Sequence, residues 1–273
     1  MKFCLSQTRI WRNCGNYLEI LEGEKIMDTI LKEHQISTDL RKNKYALVTG
    51  EEYPIHLAFT EELEELKASW ENLEGDKYIK DGGTFRQRRF GLFYFLPSNG
   101  ELILMPPAHY FQSTETNTYA GGIKRHFAPL TEEFSKNKFL LDLIKFNFQY
   151  FPVEVQLTEQ AWEVDVHQFR IIGKKDEEGQ PTPEGIHHDG DDFNVIHLMQ
   201  RKNVKGGENK VYDNEKNLLA STTLTDFMDS VFVWDPYVMH GVSPIYPEDS
   251  TQPAIRDVMV IGYNSKPDLQ RPT

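Results

Sequence analysis

The chain contains little cysteine, no long hydrophobic run and fewer basic than acidic side chains. Its two thiols, Cys4 and Cys14, lie near the start of the 273-residue sequence. The rest of the chain therefore has no thiol for a disulfide, a thiolate metal site or a cysteine nucleophile. A metal ion bound there must use histidine and carboxylate ligands.

The sequence also lacks the features of membrane and nucleic-acid proteins. It has no run of about eighteen apolar residues to span a bilayer, and its first residues are too polar for a secretory signal. Acidic residues number 42 against 30 basic ones, a formal net charge of -12. This excess repels phosphate backbones and anionic lipids. The sequence therefore predicts a protein of the reducing cytoplasm whose main partner is neither nucleic acid nor membrane.

Enough apolar side chains are present to build a core. Hydrophobic residues make up 39% of the chain and aromatic residues 12%, which is typical of one large folded domain or at most two small ones. Met27 opens a segment that reads as well as a start as Met1 does. We therefore expect residues 1–26 to be an N-terminal extension and residues 27–273 to form a single domain.

The first half of the chain has helical periodicity. Residues 17–41 and 60–73 repeat apolar side chains at helical spacing among charges, which predicts two amphipathic helices. Residues 45–57 between them read as a strand and a turn. A third helix is expected from Thr131, a candidate N-cap followed by two glutamates, to about Tyr150.

After Phe151 the pattern changes to short strands. Segments rich in β-branched and aromatic residues follow one another between Gly, Pro, Asn and Asp, which predicts an antiparallel sandwich or barrel. These segments are WEVDVHQFRII, FNVIHLMQ, ENKVYDN, SVFVWD and RDVMVIGY.

Residues 186–192 pack two imidazoles and three carboxylates at the start of a predicted strand. Alternation along a strand points His187 and Asp189 the same way and His188 to the other face. His187 and Asp189 can therefore hold one metal ion. Taking His188 as the ligand would put Gly190 where a carboxylate is needed, so we prefer His187. The pair alone is a weak signal, because it also fits a solvated turn.

A third candidate ligand, His240, follows a hydrophobic strand and a tight bend. By itself, a histidine there is more often a packed core group. Sixteen residues later Arg256 stands in an otherwise apolar strand, and a buried guanidinium must meet a carboxylate. Two histidines and one carboxylate on one side of Fe(II) leave positions open for substrate and oxygen.

In order and spacing, these residues resemble the pattern of Fe(II)/2-oxoglutarate-dependent dioxygenases. More narrowly, five short motifs are similar to those of the bacterial free-amino-acid hydroxylases, the group typified by L-isoleucine dioxygenase. The motifs are HYFQS at 109–113, HQFRI at 167–171, IHLM at 196–199, GGEN at 206–209 and AIRDV at 254–258. The resemblance covers roughly residues 45–266 and is absent from the first 26.

The resemblance implies a mainly β (α+β) fold, a double-stranded β-helix of jelly-roll or cupin type with N-terminal and flanking helices. It implies that His187, Asp189 and His240 ligate Fe(II) and that Arg256 pairs with the far carboxylate of 2-oxoglutarate. O2 is the second co-substrate. The implied reaction hydroxylates an unactivated C–H bond of a free, preferably aliphatic, L-amino acid and gives succinate and CO2.

Four further residues are candidates for binding the substrate. Arg86 and Arg88 share one face of an aromatic strand, and Gln168 and Arg170 share one face of another. An arginine at the active-site mouth can bind an amino-acid carboxylate through two hydrogen bonds. The alternative for the first pair is a charged edge strand. For Arg170 the alternative is pairing with a nearby acid.

Three neighbouring polar residues are given supporting roles. Asp191 lies on the same strand face as Asp189, and we expect Asp191 and Asp192 to support the metal ligands or to face solvent. His197 stands in an apolar strand, where a packed core histidine is favoured over contact with the substrate.

Two alternative functions stay open. The same chemistry can act on a peptide, a carrier-bound residue or a secondary metabolite. A jelly roll can also bind a metal or ligand without oxidation, as cupin-like proteins do. A deep pocket favours a free amino acid and a long groove favours a peptide, while a buried strand arginine argues against a plain cupin. A homodimer is also left open.

Overall fold

The computed structural model describes residues 35–53 and 60–265. The expected extension at 1–26 and most of the helix predicted over 17–41 lie outside these residues. Within the described part of the chain, no helix is long and apolar enough to cross a membrane.

The described residues form four α-helices and thirteen strands. The helices are α1 at 35–43, α2 Thr60–Ala68, α3 Glu132–Lys136 and α4 Lys138–Phe148. The first eight strands are β1 Tyr45–Val48, β2 Glu74–Gly75, β3 Arg86–Leu96, β4 Glu101–Leu104, β5 Trp162–Gly173, β6 Phe193–Lys202, β7 Val204–Gly206 and β8 Glu208–Tyr212. The last five are β9 Leu218–Thr223, β10 Ser230–Trp234, β11 Met239–Val242, β12 Ile245–Pro247 and β13 Ala254–Asn264.

The strands form antiparallel sheets, as the sequence predicts. The large sheet has the order β1-β10-β6-β13-β5-β3-β2, with β4 added to β3. A three-stranded sheet has the order β11-β8-β9, and β12 pairs with β7. Sequence-distant strands such as β5 and β13 are neighbours, which is the connectivity of a jelly roll.

One face of the large sheet forms the main core with the helices. On β5, Trp162, Val164 and Val166 are at most 1% exposed and belong to this core. The apolar side of α4 packs into the same cluster, including the fully buried Leu140 and Leu143. Because side chains alternate along a strand, the residues between these β5 positions must point to the opposite face.

The helix predicted from Thr131 to about Tyr150 is two helices. Thr131 caps α3, as expected, because its Oγ1 accepts a hydrogen bond from Phe134 N at 3.2 Å. Asn137 then leaves helical geometry, with φ -60° and ψ 125°, and caps α4 through Leu140 N. The break allows α4 to lie along the sheet independently of α3.

Candidate active site

His187, Asp189 and His240 meet at one point beside the large sheet. One ligand atom from each lies within 4.8 Å of the others. His187 Nε2 is 3.3 Å from Asp189 Oδ1, and His240 Nε2 is 3.4 Å from Asp189 Oδ2. Two imidazole nitrogens and a carboxylate are ligands that suit Fe(II) and leave coordination positions free.

Backbone hydrogen bonds join the two histidines across the chain. His187 N donates to His240 O, and His240 N donates to His187 O, each at 3.0 Å. His187 Nδ1 contacts Gly185 O at 3.0 Å. A proton on Nδ1 leaves Nε2 as the acceptor atom facing the other two residues. Only His187 of the motif is β-bridged, so the motif lies in a loop before β6 and not in a continuous strand.

Two residues that sequence reasoning did not single out hold the backbone of Asp189. Asp235 accepts hydrogen bonds from Asp189 N at 3.0 Å and Gly190 N at 2.8 Å. Gln112 Nε2 donates to Asp189 O at 2.9 Å. The sequence offered a faint signal for each, because Asp235 precedes a turn proline near His240 and Gln112 lies in the HYFQS motif. Neither signal indicates a contact with Asp189.

The charges of the three residues are strongly coupled. Burial lowers the pKa of His187, but the hydrogen bond and charge of Asp189 more than offset this and raise it to about 10. Burial alone would raise the pKa of Asp189, but the charges of His240 and His187 hold it below its usual range. Burial lowers the pKa of His240 to about 4. At pH 7 Asp189 is therefore ionised and His240 neutral, which are the forms that bind a metal, whereas His187 is protonated and releases its Nε2 proton when it binds one.

Arg256 lies in the same cavity on β13. It is 1% exposed, and its Nη2 donates to Asn209 Oδ1 at 3.3 Å while its Nε has no partner among the described residues. Burial, with the charge of Arg201, lowers the pKa of Arg256 to about 10, so the guanidinium stays charged at pH 7. Because its hydrogen-bond partner among the described residues is a neutral amide, this buried cation favours an anionic ligand.

The cavity that contains these residues has a volume of about 90 Å³ and lies between the large sheet and β11. Arg86 and Arg88 also line it, as do Asp165 and His167 of β5. Apolar side chains complete the wall between the charged groups. They include Phe169, Ile171, Ile196, Val242, Val258 and Val260.

The two predicted arginines of β3 are buried in this wall with partial partners. Arg86 Nη2 pairs with Asp76 Oδ2 at 2.8 Å, whereas Arg88 Nη1 is 3.7 Å from the same oxygen. Arg88 also donates to His167 Nδ1, and its guanidinium carbon lies 3.6 Å from the ring centre of Phe127. They are cavity residues, so the solvated edge-strand alternative does not describe them.

The structure does not bring Gln168 and Arg170 to the cavity. They share the β5 face that packs against the helices, where Gln168 Nε2 donates to Ser69 Oγ at 2.7 Å. Arg170 pairs with Asp257 and with Glu71, each at 2.8 Å. The paired-arginine alternative is therefore the one that the contacts match, and the substrate role expected for these two residues has no geometric support.

The supporting residues fall into three environments. Asp191 lines the cavity, and burial with the charges of Asp165 and Asp189 raises its pKa. Asp192 Oδ2 accepts a hydrogen bond from Ser265 N at 2.7 Å. His197 is fully buried on the core face of β6, so the packed reading is confirmed.

A family model described as 2OG-Fe dioxygenase matches residues 67–262. The chain belongs to this family. The matched residues include the three clustered ligands and Arg256, and the dioxygenase uses Fe(II) with 2-oxoglutarate as co-substrate.

Two characterised relatives and a solved structure are similar over most of the dioxygenase. L-isoleucine-4-hydroxylase of Bacillus thuringiensis is 25% identical over 206 residues, 75% of this chain and 83% of the relative. The 3(1)-hydroxy-L-isoleucine 4-dioxygenase of Pantoea ananatis is 25% identical over 244 residues, 84% and 95% of the two chains. A bsmA homolog from Methylobium petroleophilum PM1 matches with a TM-score of 0.74 and 28% identity, over 85% of this chain and 92% of its own. The predicted fold class is confirmed.

The residues of the dioxygenase fit both groups that its family uses. His187, Asp189 and His240 supply nitrogen and oxygen ligands from one side, and the buried His240 Nδ1 has no protein partner among the described residues. Arg256 supplies a buried cation with a free Nε. The donor set and the unpaired guanidinium are the features that iron and a dicarboxylate co-substrate require.

Proposed function

We propose that this dioxygenase hydroxylates an unactivated C–H bond of a free L-amino acid. The observation that carries the proposal is a single cavity that holds His187, Asp189, His240 and the unpaired Arg256 together with further charged side chains. The relatives named for isoleucine and hydroxyisoleucine chemistry support an aliphatic amino acid. The side chains of Ile196, Val258 and Val260 give the cavity an apolar strip for it.

Five residues of the chain have defined parts in the proposed mechanism. His187, Asp189 and His240 hold the iron, and Arg256 binds the far carboxylate of 2-oxoglutarate. Asp235 fixes the backbone of Asp189, so the ligand set is organised before substrate enters. Iron, 2-oxoglutarate and O2 together supply the oxidising power for C–H hydroxylation, and 2-oxoglutarate leaves as succinate and CO2. The buried walls keep bulk water from the reacting carbon.

A free amino acid is favoured over a peptide because the cavity is deep. Arg256 and His167 are at most 3% exposed although both line it. Membership of the dioxygenase family removes the non-oxidative cupin alternative. A cytoplasmic location and the question of a homodimer stay as predictions from the sequence.

The direct test is anaerobic addition of Fe(II) and 2-oxoglutarate, followed by O2 and a panel of L-amino acids. We expect a metal-to-ligand charge-transfer band, and succinate release that one or more amino acids stimulate. Replacing His187, Asp189 or His240 by Ala should abolish both signals, because each removes a ligand. The exposed His126 gives the control His126→Ala, which should behave as wild type. No band and no succinate from the wild-type protein would reject the proposed function.

Arg256→Met should separate the two co-substrate contacts. We expect iron binding to persist and the KM for 2-oxoglutarate to rise on the order of 10- to 100-fold, the range for losing a charge-assisted contact. Arg89→Met is the control, because Arg89 lies on the other face of β3 and donates to Asn72 O. An unchanged KM in Arg256→Met would remove the proposed role of Arg256.

A further inference from the structure

A second buried arginine of the cavity, Arg125, forms no ion pair with a carboxylate of residues 35–53 or 60–265. Arg125 is 2% exposed and lines the cavity. Its Nη2 donates to Gln112 Oε1 at 2.6 Å, and its Nε has no partner among the described residues. Arg256 is similar, because its Nη2 donates to the amide oxygen of Asn209 and its Nε has no partner among the described residues.

The two carboxylates whose charges act on Arg125, those of Asp76 and Glu184, form no ion pair with it. Asp76 forms its 2.8 Å ion pair with Arg86. Glu184 lines the cavity and attracts Arg125 through its charge, but no ion pair forms between them. By contrast, Arg170 on the helix-facing side of β5 has two carboxylate partners. Burying a guanidinium without a paired carboxylate is costly, so the surroundings of Arg125 favour an anionic ligand.

The local fold holds this guanidinium in a fixed place. Arg125 and Tyr110 exchange backbone hydrogen bonds of 2.8 and 2.9 Å. The guanidinium carbon lies 4.8 Å from the ring centre of Tyr110. Asn117 Nδ2 donates to the same Gln112 Oε1 at 3.0 Å and closes the intervening loop. A prearranged arginine loses little freedom when it binds a planar carboxylate.

Gln112 connects this arginine to the metal ligands. Its Oε1 accepts from Arg125, and its Nε2 donates to the backbone oxygen of Asp189 at 2.9 Å. One amide side chain therefore separates the guanidinium from the backbone of a metal ligand. A carboxylate bound by Arg125 would lie beside the metal-ligand loop, and the rest of the bound molecule can extend towards the reacting centre.

We propose that Arg125 binds the α-carboxylate of the amino-acid substrate and that Gln112 is a positioning residue for Arg125. This proposal rests on the proposed function, and it assigns separate arginines to the two carboxylate ligands: Arg256 to 2-oxoglutarate and Arg125 to the substrate. On this assignment the site disfavours a residue inside a peptide, which has no free α-carboxylate.

The test compares amino acids with their carboxamides. The twenty protein L-amino acids are screened with wild type, Fe(II) and 2-oxoglutarate, and an amino acid that supports turnover is paired with its amide. We expect wild type to prefer the acid in kcat/KM on the order of 10- to 100-fold, because the amide lacks the charge that Arg125 contacts. In Arg125→Gln the kcat/KM for the acid should fall by about that factor, so the preference for the acid nearly disappears. The KM for 2-oxoglutarate should stay unchanged. Arg125→Lys should recover part of the preference.

The matched control is Arg89→Gln, whose guanidinium in wild type donates to the backbone oxygens of Asn72 and Pro129 and does not line the cavity. It should keep the wild-type preference. Equal kcat/KM for acid and amide in the wild-type enzyme would overturn the assignment of Arg125 and leave the proposed function standing. A preference for the acid that survives in Arg125→Gln would do the same. A raised KM for 2-oxoglutarate in Arg125→Gln also overturns it. If Arg125→Gln does not fold, the preference for acid over amide in the wild-type enzyme and in Arg125→Lys still tests the assignment. Turnover with none of the amino acids overturns the proposed function and this proposal with it.

Discussion

His197 is a buried histidine whose surroundings suit only its neutral form. Asn147 Nδ2 donates to His197 Nε2 at 2.9 Å, so the ring proton lies on Nδ1, which donates to Ser230 Oγ at 2.7 Å. The Ser230 hydroxyl in turn donates a hydrogen bond to Met228 O. Burial lowers the pKa of His197 to about 3 from the ordinary value of 6.5.

This shift makes the folded protein sensitive to acid. Between the two pKa values the unfolded chain binds a proton at His197 and the folded chain does not, so stability falls as the pH falls below about 6.5. We expect this residue to account for a loss of about 2 kcal/mol between pH 7 and pH 5. In His197→Gln, which keeps an acceptor and a donor, urea unfolding at the two pH values should show a smaller loss by that amount. An identical pH dependence in both proteins would show that His197 does not carry the effect.

Asp235 holds the metal-ligand loop in place, because its carboxylate accepts hydrogen bonds from two backbone N–H groups of that loop. Asp235→Asn would place an amide donor against one of these groups. Outer contacts of this kind typically change metal affinity 10- to 100-fold, so we expect the Kd for Mn(II) to rise by about 10-fold. Asp229→Asn is the matched control, because Asp229 also accepts from two backbone N–H groups, those of Thr225 and Asp226, which lie outside the metal-ligand loop. It should lower stability without changing the Kd, and equal Kd values in all three proteins would argue against the role of Asp235.

At the scale of the element, β5 shows what alternation can and cannot decide. The sequence correctly placed Gln168 and Arg170 on one face. Trp162 and Val164 lie on the same face and belong to the main core. These apolar neighbours were the sequence signal that this face packs against the core. Periodicity alone does not say which face meets the helices. The polar face of β5, with His167, is the one that lines the cavity.

Helix boundaries were less predictable than helix existence. Apolar spacing continues from α3 into α4, so it predicts a single helix. Asn137 ends that continuity because its side chain both caps α4 and donates to Glu62 O in α2, at 2.7 Å. The second contact spans distant parts of the chain, and local patterns do not contain it.

On β13, Gly262 makes room for the polar groups at one end of the cavity. A Cβ there would lie 2.5 Å from Asp191 Oδ2, 2.8 Å from Asp165 Oδ1 and 2.9 Å from Asn194 Oδ1. Gly262→Ala should therefore destabilise the fold by about 1–3 kcal/mol, the usual range for overpacking, and should lower kcat by displacing Asp191 near the metal ligands. Urea unfolding and succinate release measure the two effects. Gly75→Ala on β2 is the control, since a Cβ there has no atom within 4 Å. Equal stability and turnover in the two variants would show that the cavity side chains around position 262 move aside without an energetic penalty.

Across the whole molecule, the site is assembled from segments far apart in the chain. The motif around His187, the strand positions of His240 and Arg256 and the mainly β fold were all accessible from the sequence, because each has a local pattern. Arg125 was not singled out, because its proposed role rests on a three-dimensional contact with Gln112 and on an Nε without a partner among the described residues. Such information exists only after the chain has folded.

This assembly predicts that ligands stabilise the whole fold in a fixed order. Bound Mn(II) would connect the loop of His187 and Asp189 to His240 of β11, and Arg256 of β13 would hold bound 2-oxoglutarate. At a ligand concentration of 100 Kd each binding event adds about 2.7 kcal/mol, so we expect Tm to rise by roughly 5 °C or more with Mn(II) and again with 2-oxoglutarate. EDTA should reverse both shifts.

Variants separate the contributions in the same thermal measurement. His240→Ala should lose the Mn(II) shift and most of the 2-oxoglutarate shift, because the co-substrate then lacks the metal. Arg256→Met should keep the Mn(II) shift and lose the second one. Arg125→Gln should keep both, since Arg125 is assigned to the substrate. A 2-oxoglutarate shift that persists at full size in Arg256→Met would mean that the co-substrate binds through other cations of the cavity, and the division of the two carboxylates between Arg256 and Arg125 would then be wrong.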